Sequence, residues 1–404
     1  MPKTSPTTAP TEKQKRRAVT DDDRIKWAIA RHTRDPVRGR FPTVAEIADD
    51  DDVRRDSSVV SRGIQAAFEN RLVVIQRVAP LQQPARDESL ENALKERFPK
   101  LRKAIVVRTT AGGQHPDDDA VHELLGTAMA HDLHASATVR DHEVIGIGSG
   151  RGVFYLATAL QKLPELRIEE VSLVSLSGRV YPKAHKRWVN VPMDADNHLV
   201  LLGLCFEGKL TLVPIFRDIV HRGQGTLEEA LKNTPLESHI WASRTPTQAF
   251  IGVGVLSTGH RFYNEIQLPP EERSEVLRPI VADLDALVKL ADRITNAAKH
   301  AYYPVGDICH TLFFIPPPVG LSISPQEERQ LKDYITKLNN RLINVKLEQL
   351  KQIRLVSLIA GTPQKAGAIH ALLRTDSAFD IRVQVICTDD RTAAAIHALA
   401  SNGR

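Results

Sequence analysis

The stretch EVIGIGSGRGVFYLATAL, residues 143–160, reads as a short apolar strand, a glycine-rich turn and an amphipathic helix. Such a turn offers unpaired backbone N–H groups and the positive end of a helix dipole, which suit a single phosphate or a sugar hydroxyl. It is not a dinucleotide fingerprint, because the third glycine of GxGxxG would have to fall at Arg151 or Val153. It is not a P-loop either, since no Gly-Lys-Ser/Thr follows. What remains is Gly148, Ser149, Gly150 and Arg151 at a helix start. Glycines there serve backbone geometry as readily as they serve a ligand.

Working outward, the runs AIVVR, VIGIG, VSLVSLS, HLVLLGLCF, AFIGVGV, IRLVSLIAG and RVQVICT read as buried strands, mostly followed by helical patterns. That alternation predicts an α/β domain with a largely parallel sheet, whose ligands bind at the C-terminal ends of the strands. Three further loops fall at such ends. YPVGDICHTLFF puts Asp307 after a Val-Gly turn, IRLVSLIAGTPQKAGAIHALL puts Lys365 in the first turn of a helix, and RVQVICTDDRTAAAIHAL puts Asp389 in a strand-to-helix turn. A lysine near a helix start opposes the dipole, so its placement asks for a reason.

The net charge of +5 is concentrated at one end. Residues 1–86 hold 17 Lys+Arg against 12 Asp+Glu, while the remaining 318 residues hold 37 of each. An excess confined to the first fifth of the chain points to a polyanionic partner. Residues 1–19 are rich in Thr, Pro and Lys and read as a disordered tail. Helices are expected from DDDRIKWAIARHT, from TVAEIADD with Thr43 and Glu46 as a capping box, and from Asp56-Ser57-Ser58 onward. In the last of these Val60, Ile64, Ala67 and Phe68 form the buried stripe, and LVVIQRV follows as a β-rich tail. Three short helices and a β-wing over residues 20–86 describe a winged helix-turn-helix, a DNA-binding unit. Arg55, Ser57, Ser58, Ser61 and Arg62 would then meet bases or phosphates, with Arg54 beside them. The bland alternative is a helical bundle used for association. The run Asp49–Asp52 must point away from any nucleic acid.

PLQQPARD, residues 80–87, reads as a hinge, and residues 87–404 as the larger domain. Composition is globular, with 42% hydrophobic and 25% charged residues. No apolar run approaches the ~20 residues that span a bilayer, and the N-terminus has no apolar export signal, so a cytoplasmic protein is expected. Cys205, Cys309 and Cys387 lie far apart and read as buried free thiols. His115, His122, His131, His134 and His142 crowd one stretch, but DDDAVHELLGTAMAHDLHA reads as an amphipathic helix whose solvated face carries histidines. No metal site and no cofactor is expected.

From about residue 40 to the end the chain resembles the SorC family of bacterial sugar-sensing transcriptional regulators. The resemblance rests on AEIA (45–48) with SVVSR (58–62), LENALKERFPKLRKAIVV (90–107), VIGIGSGRGVFYLATAL (144–160), PVGDIC (304–309), AGTPQKAGAIHALL (360–373) and CTDD (387–390), in family order. It implies an effector domain similar in fold to ribose-5-phosphate isomerase and glucosamine-6-phosphate deaminase. It also implies a phosphorylated sugar or polyol as effector, operator DNA as partner, and a homotetramer or homodimer. By matching position, Gly148, Ser149, Gly150 and Arg151 would hold the effector's phosphate or hydroxyls, and Asp307, Lys365 and Asp389 would line the sugar. Four departures stand out, one of them that residues 179–250 fit the family only loosely. Gly152 follows Arg151 where the family has a threonine, Ala360-Gly361 replaces Gly-Gly, and the segment between Asp307 and Ile353 is longer than the resemblance expects.

The expected function is therefore a DNA-binding regulator, not an enzyme. The alternative is a sugar-phosphate isomerase or deaminase of the same fold class, with Asp307 or Asp389 as general base. The basic N-terminal unit has no role in that enzyme.

Overall fold

The structure is a computed structural model that describes residues 18–32, 43–49, 53, 55–69, 81–109, 116–136, 139–178, 194–215, 245–258, 277–374 and 379–401. The chain divides into two compact units, Met1–Ala79 and Pro80–Arg404.

Among the described residues the first unit contains three helices, α1 Asp21–His32, α2 Val44–Asp49 and α3 Ser57–Glu69. Each start is fixed by a side chain reaching back to the backbone. Thr20 and Asp23 cap each other's N–H groups at α1, and Thr43 and Glu46 do so at α2. Asp56 accepts from the Ser58 N–H at α3. The helices bury Trp27, Ala28, Ile47, Ala48, Val60, Ile64 and Ala67 against one another. A Cβ on Gly63 would lie 2.6 Å from the Trp27 ring, so the close approach of α1 and α3 requires glycine. On the far side of α3, Ser57, Ser58, Ser61 and Arg62 are exposed and Arg55 is half-buried. The Phe68 side chain, Arg54, Asp50–Asp52 and the LVVIQRV tail lie outside the described residues.

The second unit begins within the stretch that reads as a hinge. Arg86 pairs with Val107 in a β-bridge and with Glu91 in a two-pronged ion pair, and Asp87 caps the helix α4 Glu88–Arg97. Then come β1 Lys103–Val107, α5 Asp118–Ser136, β2 Glu143–Ile147, α6 Arg151–Leu160, β3 Leu166–Ser175, α7 Ala195–Gly203 and β4 Phe206–Val213. They are followed by β5 Gln248–Ile251, β6 Gly254–Val255, α8 Leu277–Ala297, β7 Val305–Ile308, β8 Thr311–Phe314 and α9 Pro325–Asn339. The unit ends with α10 Leu347–Leu350, β9 Leu355–Ile359, α11 Ala366–Leu373, β10 Val383–Asp389 and α12 Asp390–Ser401.

Seven strands form one all-parallel sheet in the order β1-β10-β9-β5-β2-β3-β4. The period-2 alternation of each strand feeds two apolar layers. Ala104 and Val106 of β1 join the layer under α8 and α11, while Ile105 and Val107 join the layer under α5 and α6. Strand order reverses between β2 and β5, and a crevice at such a switch point is where open parallel sheets bind ligands. Strands β6, β7 and β8 form a separate antiparallel sheet. Among the described residues no helix is long and apolar enough to cross a membrane.

Two expectations are corrected. HLVLLGLCF is not a strand: residues up to Gly203 belong to α7, with His198, Leu199 and Leu202 buried and Val200 and Leu204 exposed. A continuous apolar run does not distinguish a buried strand from a helix, and the strand lies further on, in the less apolar FEGKLTLV. Asp307 does not follow a turn but lies within β7, opposite Gly254 and Leu312.

Candidate functional site

The glycine loop leaves β2 at the switch point. The Gly148 N–H donates to the Phe250 carbonyl at the end of β5 (2.8 Å), which pins the loop over the crevice. Gly150 has φ 110°, a conformation for which glycine is suited, and precedes α6 with no side-chain cap, so the first N–H groups of α6 have no side chain folded over them. Gly152 explains the departure from the family pattern: a Cβ there would lie 2.6 Å from the Ile359 carbonyl oxygen of β9. Helix and strand approach too closely for threonine. Arg151 reaches toward α5, with its guanidinium 3.0 Å from Asp119 and 3.6 Å from Asp118.

The antiparallel hairpin docks onto this loop. Its two-residue turn, Cys309-His310, carries φ of 50° and 62°, a conformation usually given to Asn-Gly. Backbone strain of this kind collects at sites where geometry serves function. A Cβ on Gly148 would meet Cys309 Sγ at 2.8 Å, and His310 Nε2 lies 3.0 Å from Ser149 Oγ. Below the turn, Asp307 is buried. Loss of water raises its carboxyl to about 7, against the opposing pull of the His310 N–H and the Lys365 charge. Burial likewise pushes the Cys309 thiol well up, so it is an inert thiol.

The third loop follows β9. Thr362 has φ 78°, and its N–H donates to Asp389 Oδ2 (2.9 Å). Asp389, the last residue of β10, also accepts from the Thr392 N–H (2.9 Å) and hydroxyl (2.6 Å). It thus caps α12 and holds the Thr362 loop at once. A short 3-10 turn, Pro363–Lys365, then carries Lys365 inward. Lys365 Nζ lies 3.1 Å from His122 Nε2. Burial first, and Arg151 second, lower the lysine to about 8.

His122 corrects the view that this helix's histidines face solvent: it is 2% exposed. Its Nδ1 lies 2.5 Å from the Asp118 carbonyl, which only accepts, so Nδ1 carries the proton and Nε2 receives the lysine's hydrogen bond. Burial, then the Lys365 charge, depress the ring to about 3 and keep it neutral. Nothing in the spacing separated His122 from its neighbours. The sequence does not single out His198 and Asp196 on α7, because HLVLLGLCF reads as a strand. The His198 Nδ1 lies 2.9 Å from the Gly148 carbonyl, and Asp196 accepts from the Ser175 hydroxyl and the Ile215 N–H. His310 could have been noticed, since it directly follows the GDIC motif.

The structure therefore brings Arg151, Asp307 and Asp389 within electrostatic reach of Lys365, and sets Ser149 against His310 of the hairpin that carries Asp307. Such a set can hold a small polyhydroxylated or anionic molecule by charge-assisted hydrogen bonds. Among the described residues no His/Cys/Asp/Glu group has a metal-binding arrangement, and the three cysteines are free and buried.

The family described as "Putative sugar-binding domain" matches residues 82–193 and 332–398, which include the glycine loop, Lys365 and Asp389. No curated protein matches the chain in sequence. Among solved structures, a transcriptional regulator from Streptococcus pneumoniae TIGR4 is 18% identical over 78% of this chain and 98% of its own, with a TM-score of 0.52. The structure described as "Probable sor Operon Regulator" from Shigella flexneri is 16% identical over 77% of this chain and 99% of its own, with a TM-score of 0.50. At that identity the likeness is one of fold. The matched segments carry the glycine loop, Lys365 and Asp389, so residues 82–193 and 332–398 match a sugar-binding domain family, in line with the SorC resemblance of the sequence motifs.

Proposed function

We propose that this protein is a cytoplasmic DNA-binding transcriptional regulator whose grip on operator DNA is set by a phosphorylated sugar or polyol. One observation carries the reading. The start of α6 has no side-chain cap, and Lys365, within electrostatic reach of both Arg151 and the buried carboxyl of Asp307, lies with it at the switch point of a parallel sheet. The N–H groups of α6 and the Arg151 guanidinium suit a phosphate, and a guanidinium with five donors can serve it without abandoning Asp119. Asp307, Lys365 and Ser149 suit sugar hydroxyls, with Asp389 holding the loops that present them. The domain is read as isomerase-like in fold, but the comparisons favour no isomerase or deaminase, and the relatives named above are regulators.

For the N-terminal unit the reading is a winged helix-turn-helix. Its support is the exposed face of α3, with Ser57, Ser58, Ser61 and Arg62 on one side and the buried stripe on the other, in the part of the chain that holds the excess positive charge. Pairing of such units on symmetric half-sites fits a homodimer or homotetramer.

The test is fluorescence anisotropy of the full-length protein on DNA from immediately upstream of its own gene, at fixed salt, against a scrambled duplex. Tight binding to the first alone, shifted by a sugar phosphate and not by the same sugar without phosphate, is the expected result. Equal weak binding to both duplexes removes the DNA reading. A response to the free sugar alone removes the phosphate.

A further inference from the structure

The turn between β7 and β8 consists of Cys309 and His310, and both hold left-handed backbone, with φ of 50° and 62°. Glycine adopts that conformation freely, whereas residues with a side chain hold it only where their surroundings impose it. Here the side chains of both turn residues meet one partner, Ser149. The Ser149 N–H is directed at the Cys309 sulfur, and His310 Nε2 lies 3.0 Å from Ser149 Oγ. Cys309 is buried, and its sulfur occupies the space beside Gly148, where a Cβ would meet it at 2.8 Å. The main chain of the same turn serves another member of the site, since the His310 N–H donates to the Asp307 carboxyl. His310, half-buried, thus joins the glycine loop to the buried carboxyl of β7.

The chemistry of the serine–histidine pair separates a hydroxyl from a phosphate. A phosphate oxygen accepts hydrogen bonds and takes N–H donors and cations. The start of α6 and Arg151 supply these, while the Ser149 N–H is already directed at the sulfur. A serine hydroxyl donates once and accepts twice, and an imidazole nitrogen does either according to its tautomer. If Oγ donates to Nε2, the serine oxygen is left to accept from a ligand. If Nε2 donates instead, the serine proton is left to give. A sugar hydroxyl matches both states, because it also donates and accepts.

We infer that His310 is a specificity-determining residue of the sugar site, which acts with Ser149 to select one hydroxyl on the carbon chain of the effector. The inference rests on the sugar reading proposed above and deepens it, by separating the groups that hold the anion from those that recognise the polyol. A ligand without that hydroxyl leaves the buried Ser149 unmatched, and a missing partner of that kind is what polar sites reject.

The experiment is isothermal titration calorimetry of the full-length protein. The probes are ribose 5-phosphate, glucose 6-phosphate and fructose 6-phosphate, the monodeoxy analogues of each, and inorganic phosphate as the bare anion. The wild type is compared with His310→Gly, which suits φ 62° and so preserves the turn, and with Ser149→Ala, which leaves the turn backbone untouched. Thermal unfolding is recorded on the same samples. His310→Gly is expected to weaken the sugar phosphate that the wild type binds best by about tenfold or more, the scale of one unmatched polar group. Inorganic phosphate should bind it as it binds the wild type, one monodeoxy analogue should no longer distinguish the two proteins, and the unfolding temperature should stay within about 2 °C. Ser149→Ala should likewise lose the preference for sugar phosphate over inorganic phosphate. Equal affinity of wild type and His310→Gly for the sugar phosphate overturns the inference, as does a Ser149→Ala protein that keeps its preference. Sugar phosphate and inorganic phosphate weakened alike by His310→Gly also overturn it and leave His310 a structural support of the glycine loop. Absence of binding of every sugar phosphate to the wild type overturns the sugar reading itself.

Discussion

Lys365 Nζ and His122 Nε2 lie 3.1 Å apart, although one residue opens α11 and the other belongs to α5, 243 positions earlier. The imidazole is kept neutral by burial and accepts from the ammonium, so a lysine that opposes its own helix dipole is held by a partner from across the crevice. The pairing leaves Lys365 a cation with further donors to offer.

Lys365→Met is accordingly expected to abolish the sugar response while leaving operator affinity unchanged, since methionine keeps the aliphatic stem and removes the donors. Anisotropy titrations with and without sugar phosphate check it. A variant that still responds would move the sugar away from this loop.

Asp389 behaves differently, because its carboxylate already joins the Thr362 N–H to the Thr392 N–H and hydroxyl. Asp389→Ala should cost about 1–3 kcal/mol of stability by leaving these donors unmatched. Urea unfolding measures it. A neutral result would mean that the loops hold without their clamp.

Asp307 provides a pH signature. Its carboxyl stands at about 7 when folded, against an ordinary 3.8. Between those values the native state keeps a proton that the unfolded chain has lost. The stability of the wild type relative to Asp307→Asn should therefore fall as pH rises from about 4 to 7, by up to ~1.4 kcal/mol per pH unit. Chemical unfolding of both proteins at roughly pH 5 and pH 7.5 reads the difference. A constant gap would show an ordinary carboxylate.

Gly152→Ala places a methyl group 2.6 Å from the Ile359 carbonyl. The clash is with the strand carbonyl as well as with the Ile359 side chain, so about 1–3 kcal/mol of stability should be lost. A thermal melt unchanged from wild type would show that α6 can move off β9.

Arg62 is exposed on α3, its Nε donating to the Ser58 carbonyl. Arg62→Ala should weaken operator binding by about 1–3 kcal/mol if the side chain reads a base. Loss of affinity equal on operator and scrambled duplex would instead make it a phosphate contact.

Much of this was legible in the chain. The capping box at Thr43–Glu46 and the Asp56 cap on the Ser58 N–H mark helix starts through local hydrogen bonds, which need no tertiary context. Gly-Ser-Gly after an apolar run marked the turn at the end of β2, since few other residues adopt φ 110°. The strands of the parallel sheet announced themselves by apolar runs with helical patterns behind them, except where α7 imitated one.

What the sequence by itself determined is the class of fold, the family motifs and which strand ends carry polar residues, because these depend on periodicity, turn chemistry and spacing. Only the tertiary structure decided which of those residues meet. The contacts of Lys365 with His122, His310 with Ser149, His198 with Gly148 and Asp389 with Thr362 join segments between 27 and 243 positions apart. They arise because strand order reverses at β2 and β5 and the loops of distant strands converge there. Burial is decided by the same convergence, and with it the raised Asp307 and the neutral His122, since loss of water depends on neighbours that no local pattern encodes.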